Sequence, residues 1–155
     1  MLLSGLFCLR VFAGTIVIGA ITNIWFLLSL YFFFLSLALG KRAIEINELT
    51  DIKTVEGRGY LSSDIFSIQL FGVVSGFISI VIITIYLLLS KSSIISNELS
   101  AGIVIIALVF WIMRFWFIVS RSEMHYDPVI YAIKDRFSLI SLCSIGIIVI
   151  AEQIL

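Results

Sequence analysis

The chain has 155 residues, 61% of them apolar and 13% charged, where a soluble domain carries about 45–50% and about 25%. Ten Lys and Arg balance ten Asp and Glu, so the net charge is zero. These figures exclude a soluble globular domain, a disordered chain, a disulfide-rich secreted module and a basic-patch nucleic-acid binder, and leave an integral membrane protein.

From Val11 to Gly40 the sequence carries no charge. A single helix of that length would measure about 45 Å, against a hydrocarbon core of about 30 Å. The polar break Thr22-Asn23 therefore predicts a helical hairpin, with spans over 2–20, carrying Arg10, and 24–40. The first span lacks the basic n-region of a secretory signal peptide. Residues 41–64 change character, from Lys41-Arg42-Ala43-Ile44-Glu45 to Gly57-Arg58-Gly59-Tyr60. They read as a solvated loop that is helical at its start.

The third span, 65–89, is uncharged and carries Gly72-x-x-x-Gly76 with Ser75 and Ser79 beside it, a ridge for close helix contact. After the connection 91–98 comes a fourth span, 99–120, with Arg114 inside it. A second polar loop covers 121–136, where Pro128 is expected to open a short helix over 129–135. The last span is 137–150. The expected fold is therefore all-α and polytopic, a single membrane domain with five spans. Cys8 and Cys143 lie in apolar stretches and there is one His, so Cys and His assemble no zinc site.

Orientation follows from charge. The two long loops hold Lys41, Arg42, Lys53, Arg58, Arg121, Lys134 and Arg136, while the opposite side holds Lys91. By the positive-inside rule both loops face the cytoplasm, and the expected location is the cell (inner) membrane. The N-terminus is then expected inside and the C-terminus outside.

The polar residues gather toward that side. If the second helix continues, Lys41 and Glu45 are an i,i+4 pair and Arg42 and Glu45 an i,i+3 pair on one face. Arg114 and Arg121 share a face of the fourth helix, with Arg114 about 10 Å deeper. An Arg at mid-membrane costs about 2.5–3.5 kcal/mol, so Arg10 and Arg114 are expected to face a bundle interior or a wet cavity. Such a cavity suits a phosphorylated ligand, because guanidinium forks grip phosphate bidentately. The plainer alternative stays open: Arg10 and Arg114 snorkel to the headgroups, and the loop charges are ordinary solvated ones.

The stretches Leu9-Arg10-Val11-Phe12-Ala13-Gly14 and Phe34-Leu35-Ser36-Leu37-Ala38-Leu39-Gly40-Lys41-Arg42-Ala43-Ile44-Glu45 resemble the UbiA superfamily of intramembrane prenyltransferases. The likeness is strongest to its decaprenyl-phosphate phosphoribosyltransferase-like branch. It continues through Gly57-Arg58-Gly59-Tyr60, Trp111–Arg114, Arg121-Ser122-Glu123-Met124-His125-Tyr126-Asp127-Pro128 and Ala132-Ile133-Lys134-Asp135-Arg136-Phe137-Ser138. The matches run in order along nearly the whole chain. They resemble the C-terminal part of a bundle of about nine spans around a central cavity. The family's two acidic motifs hold Mg²⁺ and a phosphorylated substrate. Here the second motif has the form Lys-Arg-x-x-Glu in place of Asp-x-x-x-Asp, and the first, Asn-Asp-x-x-Asp-x-x-x-Asp, is absent.

The resemblance implies transfer of a prenyl or phosphoribosyl group to or from a polyprenyl phosphate or prenyl diphosphate, with a second phosphorylated co-substrate. It implies catalytic roles for Lys41, Arg42 and Glu45, with Glu45 also a ligand to Mg²⁺. It implies substrate-binding roles for Arg10, Arg58, Tyr60, Arg114, Arg121, Glu123, His125, Asp127, Asp135 and Arg136. The ligand set is incomplete, so the chain is expected to be inactive without an N-terminal part, which a separate chain would supply. Two other classes stay open: a noncatalytic membrane fragment, and a small anion-transporter subunit with a basic pathway.

Overall fold

Runs of Leu, Ile, Val and Phe without an internal proline leave the backbone no alternative to the helix in lipid, where every N–H must find its carbonyl within the segment. The structure, a computed structural model, describes residues 2–18, 23–48, 64–89, 97–121 and 135–154. Those residues form five α-helices: α1 Leu2–Ile18, α2 Ile24–Glu48, α3 Ile65–Leu89, α4 Glu98–Ser120 and α5 Arg136–Ile154. Three are long and apolar enough to cross a membrane, over Ile24–Ile46, Ile65–Leu88 and Leu99–Ser120. These mark the chain as a membrane protein. The apolar stretch of α1, Ser4–Val17, is shorter. The short helix expected over 129–135 falls, apart from Asp135, outside the described residues.

Polar caps start the helices where the apolar runs begin. The Asn23 side chain accepts from the Trp25 N–H at 3.0 Å, and Asn97 does the same for Leu99. Asp135, expected as the last residue of a short helix, instead caps α5. Its Oδ2 accepts from the Ser138 N–H at 2.9 Å, and its carbonyl accepts the first helical bond, from Leu139.

The second helix differs from expectation at its far end. It does not stop at Gly40 but runs eight residues on, to Glu48. Ala43, Ile44 and Ile46 are buried in the main core with Ile68, Phe115 and Val119. The charges of Lys41, Arg42 and Glu45 sit on the other side of the same turns, so the helical start expected of the 41–64 segment is an amphipathic end of α2.

The core is the junction of α2, α3 and α4. The Ser36 hydroxyl donates to the Gly72 carbonyl at 2.8 Å and accepts from the Trp116 indole N–H at 3.0 Å. Ser79 donates to the Ser29 carbonyl at 2.8 Å. The pairings 36 with 72 and 29 with 79 make α2 and α3 antiparallel. On α4, Trp116 lies against Gly72 and Ile112 against Gly76, so α4 is antiparallel to α3 as well. The Gly72-x-x-x-Gly76 ridge is thus used inside the bundle. A side chain at Gly72 would run into the Trp116 ring. At Gly40 an added Cβ would stand 2.6 Å from Phe115 Cζ. Phe33, Trp111, Phe115 and Trp116 continue the contact as a ladder of rings with centroids 5.5–5.8 Å apart. The Trp111 indole N–H is buried there without a hydrogen-bond partner among the described residues.

The outer helices attach differently. Phe7 of α1 stacks on Phe34 of α2, and the Cys8 thiol lies 3.5 Å from the Leu27 carbonyl as its donor. Helix α5 meets α4 through a small apolar patch around Ala101 and Val104 and through one polar contact near each end.

Candidate functional site

Because α2 and α4 run in the same direction and α3 opposes them, one end of the bundle collects the charged ends of several elements. Residues 41–48 of α2, Asp64 before α3, Arg121 after α4 and Asp135-Arg136 at the start of α5 all lie toward this end. The sequence-predicted residues within the described regions therefore share an end, with one exception. Arg10 is exposed on α1 beside Leu6, Leu9 and Ala13. Its neighbours Phe7 and Cys8 contact Phe34 and Leu27, so it sits beside the apolar stretch of α2, short of Lys41. Arg58, Tyr60, Glu123, His125 and Asp127 lie outside the described residues.

On the last turns of α2 the expected side-chain geometry is realised. Arg42 Nη1 donates to Glu45 Oε2 at 2.6 Å, across the i,i+3 spacing. Both side chains are about one-third exposed, so the pair faces the mouth of the bundle end and is not sealed in its core. Lys41 is half-buried one residue before it.

Arg114 is the deepest cation of this end, seven residues before the C-cap residue Arg121. Its guanidinium engages Asp135 as a fork, with Nε 3.2 Å from Oδ2 and Nη2 3.0 Å from Oδ1. Its carbon Cζ stands 4.6 Å from the centre of the Phe137 ring. Asp135 therefore meets α4 at the level of Arg114, about 10 Å short of the end of that helix. Burial opposes ionisation of Asp135, but the hydrogen bonds from Arg114 and from Ser138 outweigh it and hold its carboxyl below the ordinary value of 3.8. Arg114 is thus neither a free snorkelling cation nor an open phosphate grip. Its bidentate edge is taken by Asp135, and a phosphate reaching it would share or displace that carboxylate.

Arg121 is exposed and ends α4 with its backbone N–H on the Phe117 carbonyl at 3.1 Å. Arg136 is exposed in the first turn of α5. Arg42 and Arg114 thus hold two different carboxylates, and Lys41, Arg121 and Arg136 stand at the same end.

The described residues do not fit a magnesium site. Glu45, the expected ligand, is spent on Arg42, and no group of three Asp, Glu, His or Cys stands close enough to hold a metal among the described residues.

Sequence reading missed the capping role of Asp135 and its partner Arg114. An Asp three residues before Ser138 and just ahead of an apolar run is itself a helix-start signal. It also missed a groove between α3 and α4 with Gln69 and Ser120 at one end, for which periodicity gives no signal.

No protein-family model matches the chain, and no solved structure matches it. It is similar to two curated proteins. Over 140 residues it is 31% identical to an uncharacterized protein, y4nM, of Sinorhizobium fredii, covering 88% of this chain and 27% of that protein. Over 156 residues it is 28% identical to the nodulation protein NoeC of Azorhizobium caulinodans, covering 94% of this chain and 48% of that one. The chain thus spans about a quarter of one of these relatives and about half of the other.

Proposed function

We propose that the chain is one membrane-embedded part of a UbiA-type transferase, acting on a polyprenyl phosphate or prenyl diphosphate together with a second phosphorylated substrate. In this reading all five helices cross the cell membrane, and the charged end faces the cytoplasm. The observation that carries it is the gathering of Lys41, Arg42, Glu45, Arg114, Arg121, Asp135 and Arg136 at one end of an otherwise apolar bundle. Those positions are also the ones that the family resemblance marks.

In the phosphoribosyl version, a lipid phosphate oxygen attacks the anomeric carbon of a phosphoribosyl diphosphate. A C–O bond forms, the bond from that carbon to the diphosphate oxygen breaks, and inorganic diphosphate leaves. Lys41 and Arg42 bind phosphate oxygens, and Arg121 and Arg136 add positive charge at the rim. Glu45 orients the Arg42 fork. Arg114 and Asp135 shape the mouth as a pair, by fixing where α5 begins. Any magnesium would need carboxylates from further chain, so it carries no step here. The anion-transporter reading is disfavoured by the same geometry, because Arg42 and Arg114 are both neutralised by carboxylates and offer no continuous basic path.

The relatives are two to four times longer than the matched segment, and the described carboxylates form no metal site. The chain alone is therefore inactive in this reading. The test is a transfer assay in nanodiscs, with a polyprenyl phosphate and phosphoribosyl diphosphate, and separately with prenyl diphosphates. It compares the chain alone with the chain fused to the part of the nodulation relative that it does not match. Turnover is expected only in the fusion, and is lost with Glu45→Ala or Arg42→Gln. Turnover by the isolated chain that survives Glu45→Ala, or none in either form, contradicts the proposal. Sidedness is tested by thiol labelling on a background without Cys8 and Cys143. An impermeant reagent on intact cells should miss cysteines placed at Thr54 and Ser122 and reach one at Ser93. Labelling at Thr54 would reverse the orientation.

A further inference from the structure

Beside the close contact of α3 with α4, on the outward side, runs a groove of about 270 Å³. Val73 and Phe77 of α3 and Met113 and Phe117 of α4 form its apolar walls, and Gln69 and Ser120 stand together at its end toward the charged face. From Gln69 to Phe77 is eight residues, so the groove enters the apolar zone by about 12 Å. Gln69 is half-buried in an uncharged helix, and its amide has no hydrogen-bond partner among the described residues. The Ser120 hydroxyl donates to the Phe117 carbonyl and keeps its lone pairs at the mouth. Arg121, next to Ser120 and one turn beyond Phe117, is exposed, and its guanidinium holds no carboxylate among the described residues.

We propose that this groove is a phospholipid site. One acyl chain lies between Phe77, Met113 and Phe117, and an anionic headgroup phosphate takes the Arg121 guanidinium and the Gln69 amide at the mouth. The walls decide between a lipid and a protein occupant. Close helix–helix contact in a membrane needs small residues, and those of α3, Gly72 and Gly76, are already turned to α2 and α4. Large side chains line the groove instead, and they suit a flexible chain better than a rigid helix. The mouth supplies the charge: a cation and an amide without partners among the described residues stand at the helix ends and complement a phosphate at headgroup level, where Arg binds it as a fork. This site lies outside the Lys41–Glu45 turn and shares only Arg121 with the rim of the proposed transfer site, so Met113→Trp, which that reading does not involve, separates the two.

The test counts retained lipid by native mass spectrometry on the full chain in detergent, titrated with dioleoylphosphatidylglycerol. Wild type should retain one molecule. Arg121→Gln should weaken retention about tenfold, the loss expected for hydrogen bonds to a charged group. Met113→Trp, which fills the groove, should abolish it. Ile147→Trp, an exposed change on α5 away from the groove, should match wild type and controls for folding. Dioleoylglycerol should compete weakly and glycerol 3-phosphate not at all. Equal retention by wild type, Arg121→Gln and Met113→Trp would overturn the proposal. So would full displacement by glycerol 3-phosphate, which would mark a free-phosphate site, or a dimer cross-linked through Met113→Cys in place of bound lipid.

Discussion

Helix α4 is held on its two sides by different physics. Toward α2 and α3 it is held by shape: glycines and serines let large rings come close, and one hydroxyl links all three helices. Toward α5 it is held by clasps: Arg114 with Asp135 at one end, and Ser100 with Glu152 at 2.5 Å at the other. Lipid tails are as apolar as Leu, so burying apolar surface between helices gains little in a membrane, and packing or polar contacts must supply the attraction. The junction uses the first and the α4–α5 seam the second. A seam clasped mainly at its two ends, with a small apolar patch between them, yields more readily than one packed along its length, so the variable part of the bundle is expected on the α5 side.

The largest expected effect is at the junction. Gly72→Leu would drive a side chain into the Trp116 ring, which is buried and could move aside only by giving up its hydrogen bond to Ser36. Overpacking typically costs about 1–3 kcal/mol, and this contact belongs at or beyond the top of that range. Denaturation in mixed micelles should show the whole α2–α4 unit destabilised. A wild-type midpoint would mean that the ridge is not the keystone of the bundle.

Next comes the seam. Asp135→Asn removes the charge that Arg114 holds and weakens the cap of α5. Hydrogen exchange should rise in α5 while α2–α4 stays protected; a uniform rise would dissolve the distinction between the two sides. The pH dependence has a fixed sign. The Asp135 carboxyl is held below 3.8 in the folded chain, so its contribution is complete above that value and is lost as pH falls through the lower, folded value. The protection of α5, its exchange relative to the intrinsic rate at each pH, should therefore be constant from pH 8 to 5 and fall in acid, with the acid fall absent from Asp135→Asn.

The smallest effect sharpens the comparison. Ser36→Ala breaks the link from Trp116 to Gly72 but keeps the fit. Polar contacts between membrane helices average about 0.6 kcal/mol and reach about 1.7. A loss in that range, far below Gly72→Leu, would show that shape and not hydrogen bonding dominates the junction.

What was legible in the sequence follows the same division. The ends of α3 and α4 were readable to within a residue, because uncharged runs are bounded sharply by Asp64, Asn97 and Arg121. The continuation of α2 to Glu48 was less so. Lys41, Arg42 and Glu45 look like a loop in composition, and only the interleaved Ala43, Ile44 and Ile46 betray a buried face. The depth of Arg114 was legible, but its partner was not. Asp135 is 21 residues away, and the pairing depends on where α5 begins relative to α4, which no local pattern encodes. The candidate site was legible as a list of charges on one side of the membrane, with the Arg42–Glu45 pair given by its spacing; the Arg114–Asp135 pair was not.

The central claim is that the charged end binds phosphate. The most direct measurement is the affinity of the chain in nanodiscs for a polyprenyl phosphate, for wild type and for Arg42→Gln, Arg114→Gln, Arg121→Gln and Arg114→Lys. Hydrogen bonds to charged groups contribute roughly 1.5–3 kcal/mol, so Arg42→Gln and Arg121→Gln should each bind about ten- to a hundredfold more weakly, and Arg114→Gln should weaken binding indirectly, by releasing Asp135 at the mouth. Arg114→Lys should also bind poorly, because a point charge cannot reproduce the fork that holds Asp135 at the mouth. Equal affinity in all five proteins would show that these arginines are structural anchors and would contradict a phosphate site at this end.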